Sequence, residues 1–256
     1  MSEYYNGRRS RNIYNEIDKN PFKISRSKID LFLDCPRCFY IDRKLGIGRP
    51  PGFPFAINSA VDKLLKKEFD FHRENKTKHP LLEKYDIDAI PAQREEIEEW
   101  RENFKGVQFY HEPTNFIITG AIDDLWINTK DEYIVVDYKA TSKEEKITEL
   151  NKKWQDSYKR QMEVYQWLLE KNGLVVSSVG YFVYCNGRTN VEKFDEKIEF
   201  DVTLIAYKGD SSWVEDTLFE IKKSLAQKNV PQASACCDYC LYREEVNKAL
   251  LENNKT

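Results

Sequence analysis

The sequence predicts an α/β fold in which one central mixed sheet is flanked by helices. Three observations carry that expectation. Apolar residues recur at helical spacing across residues 56–74 and 149–172. Two runs, residues 116–122 and 133–138, are rich in β-branched and aromatic side chains. The order of helices, hairpin, helix, strands, helix then fits one sheet covered by helices.

Residues 1–22 are polar and turn-rich and read as a loosely held arm. A helix follows from Ser25, capped by Ser25 or Ser27, with Ile29, Leu31, Phe32 and Leu33 on its buried side and a stop near Pro36. Glycines and prolines make residues 46–55 a loop. In the helix over 56–74, Ile57, Val61, Leu64, Leu65 and Phe69 share one face, and an acidic helix covers 93–103. The strands at 116–122 and 133–138 are joined by a turn at 129–132, and the helix over 149–172 is closed by Gly173. Residues 175–185 and 191–205 read as strands around an Asn186-Gly187 turn, and a last main helix spans 213–227. The domain expectation is an arm at 1–22, one domain over 23–245 and a tail at 246–256.

The chain has 256 residues, 41% hydrophobic and 32% charged, which supports a packed core rather than global disorder. Lys and Arg number 40 against 43 Asp and Glu, a net charge of −3. A uniformly basic coat for binding phosphate is thereby excluded; an anionic partner must meet a local patch or bound cations. Residues 1–50 hold 11 basic and 6 acidic side chains, a local balance of +5. No apolar run approaches the ~20 residues of a membrane span. The N-terminus has no hydrophobic signal region. The expectation is a cytoplasmic protein with no membrane partner. In a reducing compartment its six cysteines are expected as free thiols or metal ligands.

Asp137 and Lys139 are two apart in a predicted strand and therefore share a face. Alone, such a pair is an ordinary strand end with a weak ion pair. Upstream, Gly120-Ala121-Ile122-Asp123-Asp124 places acids on the neighbouring strand. Downstream, Trp154, Tyr158, Gln161, Tyr165 and Leu168 form a helical stripe. A glutamine within that stripe costs desolvation unless it is bonded, so Gln161 is either a satisfied core residue or part of a site. With a two-residue turn at Lys130-Asp131, Asp124 would stand opposite Asp137; a bulge or an odd-length loop brings Asp123 there instead. Both remain open.

Cys35-x-x-Cys38 and Cys237-x-x-Cys240 are two two-residue-gap pairs at opposite ends of the chain. Such pairs suit four-thiolate ligation of Zn²⁺ or a 4Fe-4S cluster, with four buried metal-free thiols as the alternative. Cys185 reads as core, and His72, His79 and His111 as surface residues. There is no glycine-rich phosphate loop, so no ATPase motor is expected.

Taken together, Gly-x-x-Asp ending at Asp123, Asp-x-Lys starting 14 residues later and Gln161-x-x-x-Tyr165 resemble the PD-(D/E)xK nuclease superfamily. Within it, the chain is similar to the RecB-type and Cas4-type exonucleases, whose opening helix resembles residues 27–40 with their Cys-Pro-Arg-x-Phe-Tyr signature. The resemblance covers roughly residues 25–243. It implies a restriction-endonuclease-like core and a metal-dependent DNA nuclease, specifically an exonuclease. It implies Mg²⁺ or Mn²⁺ held by Asp62, Asp123, Asp137 and the carbonyl of Tyr138. Lys139 would orient the attacking water and stabilise developing negative charge. Gln161 and Tyr165 would support the site and hold the strand. Asn58 and Asp62 stand where the branch has a Gly and a metal-ligating His. Cas4-type and AddB-type relatives tie N- and C-terminal segments with an iron–sulfur cluster, and here Cys38 would supply the fourth ligand beside Cys35, Cys237 and Cys240. The implied partners are DNA, as single strands or duplex ends, and a helicase or another repair or CRISPR protein. The rival readings are a catalytically silent DNA-binding or scaffold module, and a nuclease of CRISPR spacer acquisition.

Overall fold

A computed structural model describes residues 7–52 and 56–253. In chain order the elements are β1 (Phe22–Ser25), α1 (Arg26–Asp34), α2 (Pro36–Arg43), α3 (Ala56–Asn75), α4 (Pro80–Lys84), β2 (Ala89–Pro91), α5 (Ile97–Arg101), β3 (Val107–His111), β4 (Phe116–Gly120), β5 (Asp124–Asn128), β6 (Tyr133–Thr141), α6 (Asp156–Lys171), β7 (Val179–Gly187), β8 (Phe200–Lys208), α7 (Trp213–Ala226) and α8 (Asp238–Asn253). Short 3₁₀ turns occupy Glu112–Thr114 and Lys153–Gln155. The chain divides into two compact units. Of the described residues, one unit takes 7–52, 110–118 and 213–253, and the other takes 56–109 and 119–212. Among them no helix is long and apolar enough to cross a membrane.

The larger unit is built on a five-stranded mixed sheet of order β2-β5-β6-β7-β8. Its β6–β7 pair is parallel, and the other three pairs are antiparallel. A parallel pair needs a long crossover, which α6 provides. Alternation along β6 sorts its side chains. Ile134, Val136 and Tyr138 join Trp126, Val183 and Leu204 in a buried cluster that also holds Phe69 of α3 and Leu82 of α4. The Phe69 ring stacks on His79 at 4.0 Å and on Trp126 at 5.4 Å. Each large apolar side chain buried there contributes about 1.5–3 kcal/mol. The opposite face of β6 carries Val135, Asp137 and Lys139, and α6 packs on this side through Gln161 and Met162.

The smaller unit holds β1, α1, α2, α7 and α8, and the chain crosses from one unit to the other along β3 and β4. A three-stranded sheet has the order β1-β4-β3. Within the smaller unit, Phe32 meets Phe39 edge-on at 5.3 Å, and Phe22 meets Tyr14 at 5.4 Å. The buried Asp42 carboxylate is paired with Lys28 at 2.6 Å and Arg9 at 2.5 Å.

Several elements depart from the sequence reading. Residues 116–122 do not form one strand beside β6. β4 ends at Gly120 in the three-stranded sheet, and the antiparallel partner of β6 is β5, so the acids open a strand rather than sit at its heart. Pro36 ends α1 and at the same time begins α2, because proline suits a helix's first turn, where its missing N–H costs nothing. The strand β1, the short α4 and β2, and α8, which runs from the end of the expected domain into the expected tail, were not anticipated; α8 is mostly exposed and has no apolar stripe to announce it. The acidic helix shrinks to α5, and α6 begins at Asp156, after a 3₁₀ turn. Asn186 and Gly187 stay in β7 opposite Asp201 and Phe200, so the reversal comes later, across residues 188–199. Ile57, Leu64 and Leu33 are exposed although the periodicity assigned them inward. Of the expected loop at 46–55, residues 53–55 lie outside the described residues. His79 and His111 are buried rather than on the surface, because each ring has polar partners. His79 Nδ1 accepts the Leu81 N–H and its Nε2 pairs with Glu68, and His111 bonds Thr114 and Glu215. Gly173 does close α6, with φ +83°, and Cys185 is core.

Candidate active site

Asp137 is fully buried in the middle of β6. Among the described residues its carboxylate has one side-chain partner, the Lys139 ammonium, which donates to it and pairs with its charge. Lys139 Nζ also donates to Gln161 Oε1 at 3.3 Å, and Gln161 Nε2 donates to the Tyr165 hydroxyl at 3.0 Å. The glutamine in the apolar stripe is thus bonded at both ends. Lys139 lies 4.5 Å from the Tyr158 ring centroid, where the ring's π face adds attraction. Burial works against the lysine's charge, but Asp137 and Asp123 outweigh it and hold its pKa above the ordinary value.

Gly120 explains part of this packing. A Cβ there would come within 2.7 Å of the Tyr165 ring, so only glycine lets the tyrosine lie against the chain.

The β5–β6 loop decides between the two neighbouring aspartates. Asn128 Oδ1 accepts the N–H groups of Lys130 and Glu132, each at 2.9 Å, and Asp131 adopts φ +59°. The last strand pair is Ile127 with Tyr133, which leaves an odd-length loop and sets Asp124 opposite Val136. Asp123 is therefore level with Asp137, and its Oδ2 accepts the Tyr138 N–H at 2.8 Å. Desolvation, then the nearby Asp137 carboxylate, raise the Asp123 pKa to about 7. Asp124 turns to the other face and is fully buried. It pairs with Arg73 and Arg101 and accepts the Tyr138 hydroxyl at 2.7 Å. Arg101 also donates to the main-chain carbonyl of Asp123 at 3.1 Å, bracing the segment that carries the acid.

Asp62 of α3 lines the same small cavity as Tyr138 and Lys139. It is partly exposed and bonds Lys66, one turn on, at 3.0 Å. Lys66 Nζ is also 3.9 Å from Asp123. This lysine between two acids was not singled out from the sequence; its spacing of four from Asp62 was the available signal. Arg73 and Arg101 were missed too, since nothing in the primary structure pairs them with Asp124.

The buried carboxylate of Asp137, met by a single lysine and lying beside Asp123, fits a hard divalent cation, which takes carboxylate oxygens and keeps waters of its own. Far along the sequence, in the smaller unit, Cys35, Cys38, Cys237 and Cys240 are buried with their sulfurs within 4.8 Å of one another. Sulfur separations of 3.6 Å (Cys38–Cys237 and Cys38–Cys240) and 3.8 Å (Cys35–Cys240) are far beyond a disulfide bond and suit ligands around one metal centre. Arg49 and Arg243 donate to Cys237 and Cys240. Burial raises the Cys35 thiol pKa, but donors from Cys38, Ser234, Cys237 and Cys240 outweigh it and bring the value down to about 7. Burial pushes Cys38 up to about 12.

A family model of the PD-(D/E)XK nuclease superfamily matches residues 23–244. The chain belongs to that superfamily. PD-(D/E)XK nucleases generally use divalent metals. A solved structure from Eubacterium rectale, described as a candidate exonuclease, is similar over 86% of this chain and 87% of its own, at 12% identity and a TM-score of 0.41. No curated protein sequence matches the chain. Membership of the superfamily accords with a mixed sheet flanked by helices and makes the chain a nuclease by descent.

Proposed function

We propose that the chain is a divalent-metal-dependent deoxyribonuclease of RecB/Cas4 type, an exonuclease acting in DNA repair or recombination. The observation that carries this reading is Asp137. A fully buried carboxylate whose one side-chain partner among the described residues is a single lysine is costly to keep unless the site uses it. Asp123 and Asp137, with the Tyr138 carbonyl and Asp62, are the residues to hold Mg²⁺ or Mn²⁺. When bound, such an ion neutralises phosphate charge and lowers the pKa of the attacking water. Lys139, kept charged by its acidic neighbours, orients that water and stabilises negative charge developing on the phosphate. Gln161 fixes the Lys139 head, and Tyr165 fixes Gln161.

The test is to incubate the protein with Mg²⁺ or Mn²⁺ and end-labelled single- and double-stranded DNA. Stepwise loss of label that Asp137→Ala and Lys139→Ala each abolish supports the reading. No cleavage with either metal, from protein shown to be folded, overturns it.

A further inference from the structure

The cavity at Asp62, Tyr138 and Lys139 is small, about 110 Å³. Next to it, sharing Asn58, Ala140 and Tyr158 as walls, lies a groove of about 950 Å³. That is ample for a ligand of several rings, at the upper end of the roughly 300–1,000 Å³ of ligand clefts. The groove runs from the lysine side of the site, and its walls are largely apolar or aromatic, with Trp154, Tyr158 and Tyr184 among them. Lys143 supplies positive charge, and Arg188, held by Asp201 and Glu199, adds a guanidinium.

Trp154 is the unusual member. It lies on the 3₁₀ turn before α6 at helical spacing from Tyr158, yet it is 51% exposed. Its ring is braced by a perpendicular contact with Tyr158 at 5.7 Å, and Tyr158 is in turn the ring beneath the Lys139 ammonium. A half-exposed indole, resting edge-on against the ring that lies beneath Lys139, is placed for a flat partner.

We infer that this groove is the track for an unpaired DNA strand, with Trp154 stacking on a base next to the nucleotide in the active site. The inference rests on the nuclease reading above and deepens it by naming the groove and the residue, Trp154, that position the strand. Inside a duplex each base face is already stacked and the outer surface is phosphate, so away from the terminal pair an aromatic wall has nothing to grip. In a single strand the base faces are free, every base offers one, and stacking on an aromatic side chain is tolerant of sequence. Lys143 then meets the backbone charge that a net acidic protein must meet locally.

The experiment measures binding rather than cleavage. Full-length wild-type protein, Trp154→Ala and Trp154→Phe are titrated into a labelled oligothymidylate and, separately, a labelled blunt hairpin duplex, in EDTA and again with Ca²⁺. Trp154→Ala should weaken oligothymidylate binding about tenfold while changing duplex binding by less than about twofold, and Trp154→Phe should restore most of the loss. Circular dichroism establishes that each variant is folded; should the alanine variant fail to fold, Trp154→Gln is read in its place. Equal oligothymidylate affinity for wild type and the alanine variant overturns the inference, as does an equal loss on duplex or a wild type that does not bind the oligonucleotide. A wild type that cleaves no DNA but shows the tenfold Trp154 effect sinks only the nuclease reading. A wild type that cleaves with no Trp154 effect sinks only the track.

Discussion

Asp123 accepts the backbone N–H of Tyr138 at 2.8 Å, while the neighbouring Asp124 accepts that tyrosine's side-chain hydroxyl at 2.7 Å. One residue of β6 thus reads out which aspartate lies on which face of the sheet. The two acids share a type and a neighbourhood in the sequence but not an environment. Asp123 borders Asp137 and Lys139, and Asp124 is sealed between two arginines.

Their substitutions should separate stability from chemistry. Asp124→Ala leaves Arg73 and Arg101 without their shared buried carboxylate, and removing one partner of a buried pair costs about 3–5 kcal/mol. Asp123→Asn keeps the acceptor for the Tyr138 N–H and, near pH 5 where the raised pKa leaves Asp123 protonated, should change stability by less than about 1 kcal/mol, while abolishing cleavage. Urea unfolding followed by a nuclease assay checks both. Equal stability of the two variants would show the assignment of faces to be wrong.

The raised pKa of Asp123 has a consequence for stability. Its carboxyl titrates near 7 when folded and near its ordinary 3.8 when unfolded, so between those values the folded protein binds the extra proton. Stability contributed through this group is complete below about pH 4 and is lost as pH rises towards 7. Without divalent ions, the stability of wild type relative to Asp123→Asn should therefore fall by at least about 1 kcal/mol between roughly pH 5 and 7.5. Adding Mn²⁺ at the upper pH should reverse the fall. A difference that stays flat across this range sinks the prediction.

Lys66 holds Asp62 at 3.0 Å and approaches Asp123 at 3.9 Å, so its ammonium competes with a cation for the same oxygens. Lys66→Met keeps the stem and removes the charge. Mn²⁺ affinity measured by calorimetry should rise by about threefold to tenfold, since each ion pair that must be given up is worth up to about 1 kcal/mol at a partly exposed site. Unchanged or weaker affinity would show that the lysine does not compete.

The sequence carried much of this arrangement and missed the rest for identifiable reasons. Asp137, Lys139, Gln161 and Tyr165 were legible because strand and helix periods place them on facing surfaces, and the structure links all four in one chain of an ion pair and two hydrogen bonds. Asp123 against Asp124 was not legible, since it hangs on the length of one loop and the left-handed conformation of Asp131. Arg101 was invisible because it comes from a five-residue helix and its partners in the site, Asp70, Asp123 and Asp124, are all more than 20 residues away in sequence. The convergence of two Cys-x-x-Cys pairs was legible as a spacing, whereas α8, which begins just after Cys237 and carries Cys240, was not, having almost no buried face.

The cysteine cluster gives the last prediction. Four buried sulfurs within 4.8 Å of one another cost little when they ligate a metal and crowd when they do not. Arg49 and Arg243 already point donors at two of the sulfurs, and the Cys35 thiol is drawn down to about 7 by the donors around it. A bound ion joins residues 35–38 to residues 237–240 and closes a loop of most of the chain. By analogy with a cross-link of that span, it should stabilise by about 4 kcal/mol, or roughly 10 °C in Tm. Anaerobically purified wild type should contain metal by elemental analysis, as zinc or as iron with a visible absorbance. Cys237→Ser should lose that metal and the corresponding Tm, whereas Cys236→Ser, an exposed neighbour outside the cluster, should keep both. Metal-free wild type, or a Cys237→Ser protein as stable as wild type, would leave the four thiols as a metal-free core.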